Sequence, residues 1–290
     1  MPALPVTAII PSTGSRACLH TTLARLQQCE PSPAQVIVHL DDPPSGVVEA
    51  LHGAFPEVQV LVSGDRLGPG GGRGRLIQAS AHDLVASFDD DSYPDTPDYF
   101  ARVWSTAELF PDAAVISAAS PGVERLTPGF MRIAVYSGCG CVFRRSWLLR
   151  VAGFVPLPVA YGMEEVDVSL QLHAAGGVIV HDPQLQIRHD HPPGEPRDIS
   201  RFNALLLANA LLLPFLRYPA WLFPIGLAQW FNRMLWMIRS GNQQGLLRGI
   251  GMFPGYSWKY RKFRRVVSAG KLAEWLELRH HPQLLAAPGL

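Results

Sequence analysis

An apolar run, Leu84-Val85-Ala86, leads directly into Ser87-Phe88-Asp89-Asp90-Asp91-Ser92. Three consecutive carboxylates repel one another, so a buried strand would not end in them unless a positive charge sits there. Hard divalent cations take oxygen ligands and share them between one or two carboxylates and substrate phosphates. The triplet therefore predicts a strand that ends in a site for Mg²⁺ or Mn²⁺ and a diphosphate. The competing reading is a solvated acidic turn, with Asp91 or Ser92 capping a helix near Pro94.

The surrounding pattern favours the site. Val6 to Ile10, Gln35 to Leu40, Val58 to Val62 and Leu84 to Phe88 are short β-type runs. Helical patterns over Ala17 to Gln28, Val47 to Phe55 and a segment ending at Ala81 separate them, the last opened by a glycine-rich turn at Gly68 to Gly72. Strands joined by single helices pair in parallel through right-handed crossovers, which predicts an α/β layered fold. In such sheets ligands lie beyond the carboxyl ends of the strands. Pro11-Ser12-Thr13, Asp41-Asp42 and the acidic triplet all fall there. Beyond Pro97 the pattern is mixed: strands are expected at Ala114 to Ala119, Ser137 to Arg144, Gly177 to His181 and Leu185 to His189. An acidic helix start is expected at Gly162 to Leu172, containing Glu164, Glu165 and Asp167.

The chain has 290 residues, 48% hydrophobic, enough for one large domain or a domain with an appendage. A formal net charge of +1 argues against a nucleic-acid partner held by bulk charge. Cys18, Cys29, Cys139 and Cys141 form no CxxC pair and no zinc spacing. They are read as reduced thiols, and Met1 to Pro5 show no signal-peptide pattern. Both readings predict a cytoplasmic protein.

Four segments, in this order, resemble the family 2 glycosyltransferases, inverting enzymes with a GT-A fold. They are Ile9 to Thr13; Val38 to Asp42; Gly70 to Arg73 continuing to Asp89-Asp90-Asp91; and Ser137-Gly138 followed by Gly162 to Asp167. The resemblance covers about residues 5 to 195. It implies a GT-A-like, Rossmann-type α/β/α sandwich over 1–195, followed by a C-terminal helical region over 196–290. It implies transfer of a hexosyl- or rhamnosyl-type sugar from a nucleotide-diphosphate sugar to a sugar or lipid-linked acceptor, in cell-surface polysaccharide or glycolipid synthesis, with Mn²⁺ or Mg²⁺ as cofactor.

By the same resemblance Asp89 and Asp91 are the outer carboxylates of a DxD motif around Asp90. Asp91 would bind the metal directly, and Asp89 would lie nearer the ribose or the metal's water. Asp41 would face the nucleobase or ribose, with Pro11 and Thr13 lining that pocket. Arg73 would reach the base or the diphosphate; its alternative is a surface place on a helix's first turn. Glu165 falls where the family has its catalytic aspartate, and this departure leaves Asp167 as the alternative base. The bland reading of these acids is a favourable helix N-terminus. His189 is the match for a downstream histidine that ligates the metal or contacts a phosphate, with His191 second.

After about Asp198 the character changes. Ala204 to Phe231 is nearly uncharged, and Pro214, Pro219, Pro224 and Arg217 split it into pieces shorter than the about 20 residues a spanning helix needs. Phe253 to Arg265 interleaves cations with aromatics, which suits the headgroup layer of an anionic membrane. This predicts a peripheral protein on the inner face of the cell membrane; the alternatives are packing on the catalytic domain or a homodimer. Two other functions share much of the pattern: a nucleotidyltransferase, which would want a basic glycine signature near the N-terminus, and a non-catalytic sugar-nucleotide-binding protein.

Overall fold

The computed structural model describes residues 2–14, 17–119, 129–158, 163–190 and 198–286. His191 and Gly162 lie outside them. The first half runs β1 (Leu4–Ser12), α1 (Cys18–Gln27), β2 (Pro33–Asp41), α2 (Val47–Ala54), β3 (Gln59–Ser63), α3 (Gly68–Ala79) and β4 (Leu84–Ser87). There follow β5 (Ser92–Pro94), α4 (Tyr99–Leu109), β6 (Ala113–Ala119), β7 (Met131–Arg132), β8 (Cys141–Arg144), α5 (Arg145–Leu148), α6 (Glu164–Ala174) and β9 (Val178–His189). The remainder is α7 (Ile199–Arg217), α8 (Phe223–Arg239), α9 (Leu246–Tyr260), α10 (Ala269–His280) and a short β10 (Gln283–Leu284).

One mixed sheet organises these elements, in the order β10-β7-β9-β6-β8-β4-β1-β2-β3, with β5 paired to β9 off the main path. β1 pairs in parallel with β2 and β4, and β2 with β3, as the alternating pattern predicts. β8 then runs antiparallel between β4 and β6. Side chains alternate across the pleat. Val6, Ala8 and Ile10 of β1 meet Leu19, Leu23 and Leu26 of α1 and Phe100 and Val103 of α4 on one face. Ile9 points the other way, into a cluster with Leu76 and Ile77 of α3 and Val168 and Leu172 of α6. Helices therefore cover both faces of the sheet.

Three local expectations change. The glycine run is no turn: Gly70, Gly71 and Gly72 lie inside α3. A Cβ at Gly72 would stand 2.8 Å from His39 Nδ1 and 3.2 Å from Pro11 Cβ, so the run lets α3 approach β1 and β2 closely. The strand expected from Ser137 begins only at Cys141. The two strands expected over 177–189 are one, β9. It continues through Asp182 because that buried carboxylate accepts from Arg102 Nε and Nη2, from Thr106 Oγ1 and from Gln184 N.

Pro214 does not break α7 but sits inside it, its ring filling space where Gly226 of α8 has no side chain. α7 is long and apolar enough to cross a membrane, yet 67% of that window is buried in the protein. α10 closes a further core, with Trp275, Leu272 and Leu278 against Ala134, Leu170 and Tyr218.

Candidate active site

The acidic triplet follows β4, where the chain leaves the sheet. Ser92 Oγ accepts from Asp89 N at 2.8 Å and shapes the turn. β5 begins at Ser92 and pairs antiparallel with the end of β9, in a register that sets Ser92 opposite His189. Asp190 N donates to Asp91 O at 2.9 Å and extends that pairing. Two segments almost a hundred residues apart thus meet side by side, and His189 Nε2 lies 2.9 Å from Asp91 Oδ1.

Asp89, Asp91 and His189 each offer one ligand atom, and these atoms lie within 4.8 Å of one another. Two carboxylate oxygens and one imidazole nitrogen suit a hard-to-borderline divalent cation. Asp91 is buried, whereas the side chains of Asp89 and His189 stay about one-third exposed, 33% and 32%, which leaves room for a substrate's oxygens. The donor set fits the expected metal, and these three residues would hold it. The Asp91 carboxylate, and after it the Cys139 sulfur 3.7 Å from Nδ1, hold the His189 imidazolium protonated up to about pH 10.

Asp90 is turned away from this group. Its Oδ2 accepts from Ser12 Oγ at 2.7 Å and its carbonyl from Thr22 Oγ1 at 3.0 Å, so it ties the triplet to β1 and α1. Asp41 also has local work: its two oxygens accept from Leu67 N and Gly68 N, each at 2.8 Å, and so cap α3. Pro11 is buried beside Gly72, and Thr13 is exposed at the end of β1.

Arg73 is not the surface residue that its place near the start of α3 allowed. It is buried, and its guanidinium donates from Nε to Ser87 Oγ at 3.1 Å, from Nη1 to Glu164 Oε1 and from Nη2 to Asp89 Oδ1. An arginine so placed links a carboxylate of the metal group to the start of α6. Burial raises the Glu164 carboxyl to about 7, against the pull of Arg73. Glu165, next along, is only partly buried, and the same desolvation raises it. Its side chain lies over Gly138, where an added Cβ would collide with the carboxylate.

Asp167 does not stand free as an alternative base. It is fully inside the protein, gripped by Arg217 through Nε and Nη2 and by Gln171 Nε2 at 3.0 Å. Sequence reasoning missed Ser92, Cys139 and Arg217. Ser92 had a signal, a serine directly after the triplet. Cys139 had none, since its meeting with His189 depends on where β9 ends.

Residues 2–128 match the family model described as "Glycosyltransferase like family 2". No curated protein matches the chain. Among solved structures the chain is similar to the mannosyltransferase PcManGT from Pyrobaculum calidifontis, solved with GDP-Man and Mn²⁺. That match has 14% identity and a TM-score of 0.58, covering 96% of this chain and 81% of that one. It is also similar to GalNAc-T7, solved with UDP, GalNAc and Mn²⁺, at 12% identity and a TM-score of 0.60; 75% of this chain covers 49% of that one. A third likeness is to residues 1–349 of S. aureus TarS, at 14% identity and a TM-score of 0.50, over 73% of this chain and 66% of that one. The structural likenesses carry the GT-A fold, and the matched segment, which holds the acidic triplet, is similar to the family 2-like glycosyltransferases.

Proposed function

We propose that this protein moves a sugar from a nucleoside-diphosphate donor to an acceptor hydroxyl, with inversion at the anomeric carbon. The observation that carries the reading is the meeting of Asp89, Asp91 and His189 beyond β4, joined through Arg73 to the acidic start of α6. A divalent cation bound there supplies Lewis-acid stabilisation of the leaving diphosphate. The similar proteins solved with GDP-Man and with UDP, both with Mn²⁺, support a donor of this class. The catalytic unit is assigned to about residues 1–195, and the helices α7 to α10 belong to the C-terminal region that follows.

Glu165 is the base. The residue is partly buried, and desolvation raises the proton affinity of its carboxylate, the property a group needs to take a hydroxyl proton as the oxygen attacks. Arg73 holds Asp89 and Glu164 in one frame, so the donor side and the acceptor side keep a fixed spacing. The family resemblance extends the proposal to hexosyl- or rhamnosyl-type transfer onto a sugar or lipid-linked acceptor, in cell-surface polysaccharide or glycolipid synthesis.

The experiment is a thermal-shift screen of nucleoside-diphosphate sugars with Mn²⁺, followed by metal-dependent hydrolysis of the donor that stabilises most. Release of nucleoside diphosphate and free sugar, absent in Asp91→Ala, supports transfer. Pyrophosphate release from a sugar phosphate and a nucleoside triphosphate would instead make the protein a nucleotidyltransferase. Binding without turnover would make it a carrier.

A further inference from the structure

α8 and α9 are apolar helices that the rest of the chain hardly covers. Of the seventeen residues of α8 only Gly226 and Met237 are buried, and of the fifteen of α9 only Leu246, Gly249 and Tyr260. Trp221, Phe231 and Trp236 on or just before α8, and Leu247, Ile250 and Trp258 on α9, are all exposed, Leu247 by 85%. Both helices pack on α7, where Leu206 and Leu207 meet Met237 of α8 and Leu246 of α9, and exposed apolar surface concentrated on them marks an interaction site. It corrects the expectation drawn from Ala204 to Phe231, because α7, which holds half of that stretch, is core.

Charge selects the occupant. Between Asp198 and Glu274 the chain has eleven lysines and arginines and no aspartate or glutamate. Arg217 is spent on Asp167, but Arg233, Arg239, Arg248 and Lys259 are exposed on α8 and α9 and form no ion pair with a described residue. Arg233 stacks 4.9 Å over Trp236, and Arg261 stacks 3.7 Å over Trp258. A second copy seated on this face would bring two acid-free, cationic surfaces together, and like charges oppose that. A soluble partner would need to be both apolar and acidic. A bilayer with anionic headgroups offers both at once: acyl chains for the tryptophans and leucine, phosphates for the guanidinium groups.

We infer that α8 and α9 together form an in-plane docking surface for an anionic lipid bilayer. Docking is independent of sugar transfer and needs neither donor nor metal.

The test is co-sedimentation of the full chain, without donor, with vesicles of phosphatidylcholine alone or mixed with phosphatidylglycerol. Binding to the mixed vesicles only, weakened by salt, is expected. Reversing Arg233, Arg239, Arg248 and Lys259 to glutamate should weaken partitioning by about 100-fold or more. Trp236→Ser with Trp258→Ser, which keeps every charge, should weaken it as well. Protein left in the supernatant with phosphatidylglycerol vesicles at low salt overturns the inference. So does equal binding to neutral vesicles, or a dimer in solution that the tryptophan variant dissociates.

Discussion

Arg217, buried on α7, forks Nε and Nη2 onto the carboxylate of Asp167 on the first turn of α6. The same guanidinium donates from Nη1 to Phe263 O at 2.7 Å, while Val267 N donates to Arg217 O at 2.8 Å. The helix that begins with Glu164 and Glu165 is thereby fastened to the C-terminal region. Removing one member of such a pair strands the other in the interior. Arg217→Met should cost about 3–5 kcal/mol in denaturant unfolding, and Arg217→Met combined with Asp167→Leu should recover most of it. A single variant as stable as wild type would refute the pairing.

Asp91→Asn should weaken Mn²⁺ binding by more than about 100-fold, because changes to groups behind a metal ligand already cost about 10–100-fold. Calorimetry with Mn²⁺ and then with a nucleoside-diphosphate sugar reads this directly. Unchanged affinity for both would remove Asp91 from the site.

Metal binding should depend on pH through His189. Its folded-state pKa is raised to about 10, so below that value the imidazolium must lose its proton before Nε2 can coordinate. Mn²⁺ affinity should therefore rise with pH, by up to about tenfold per unit, with about one proton released per ion. In the metal-free protein the sign is the opposite: the pair with Asp91 contributes stability that is complete below the ordinary histidine value of 6.5 and is lost as pH rises through about 10. Calorimetry in buffers of different ionisation enthalpy counts the proton, and a pH-independent affinity would contradict the assignment.

Glu165→Gln should lower turnover by about 10²–10⁴-fold while donor binding survives. The amide keeps the shape and the hydrogen bonding but cannot accept the proton. Near-normal turnover in this variant, measured beside a folded Asp167→Asn, would exclude Glu165 as base.

Gly138→Ala probes the same group from below. The new methyl would displace the Glu165 carboxylate, and a shift of about 1 Å at a reacting group can cost about 100-fold. The loss should appear in kcat, with the donor's Kd unchanged. Equal losses in both would point to wider disruption of the fold.

The sequence carried the α/β layering, because hydrophobic periodicity is local: β1 to β4 and their helices announce themselves by alternating runs of period two and period 3.6. It also carried Asp89 and Asp91, since like charges packed at the end of an apolar strand require an explanation in any fold. His189 was legible only through the order of motifs. Its distance from Asp91 is decided by the β5–β9 pairing, a register that a short run such as Ser92–Pro94 does not encode alone. Arg73, Asp90 and Asp167 look alike on paper as charged residues near the motifs, and tertiary packing gave them different work. Burial forces each buried charge to find a partner, and which partner is near depends on contacts between elements far apart in sequence. The same holds for the C-terminal helices. Composition showed them to be apolar and cationic, but only their packing buried α7, which is so nearly uniform in apolar character that it carries no face of its own until neighbours cover it, and left α8 and α9 facing outward.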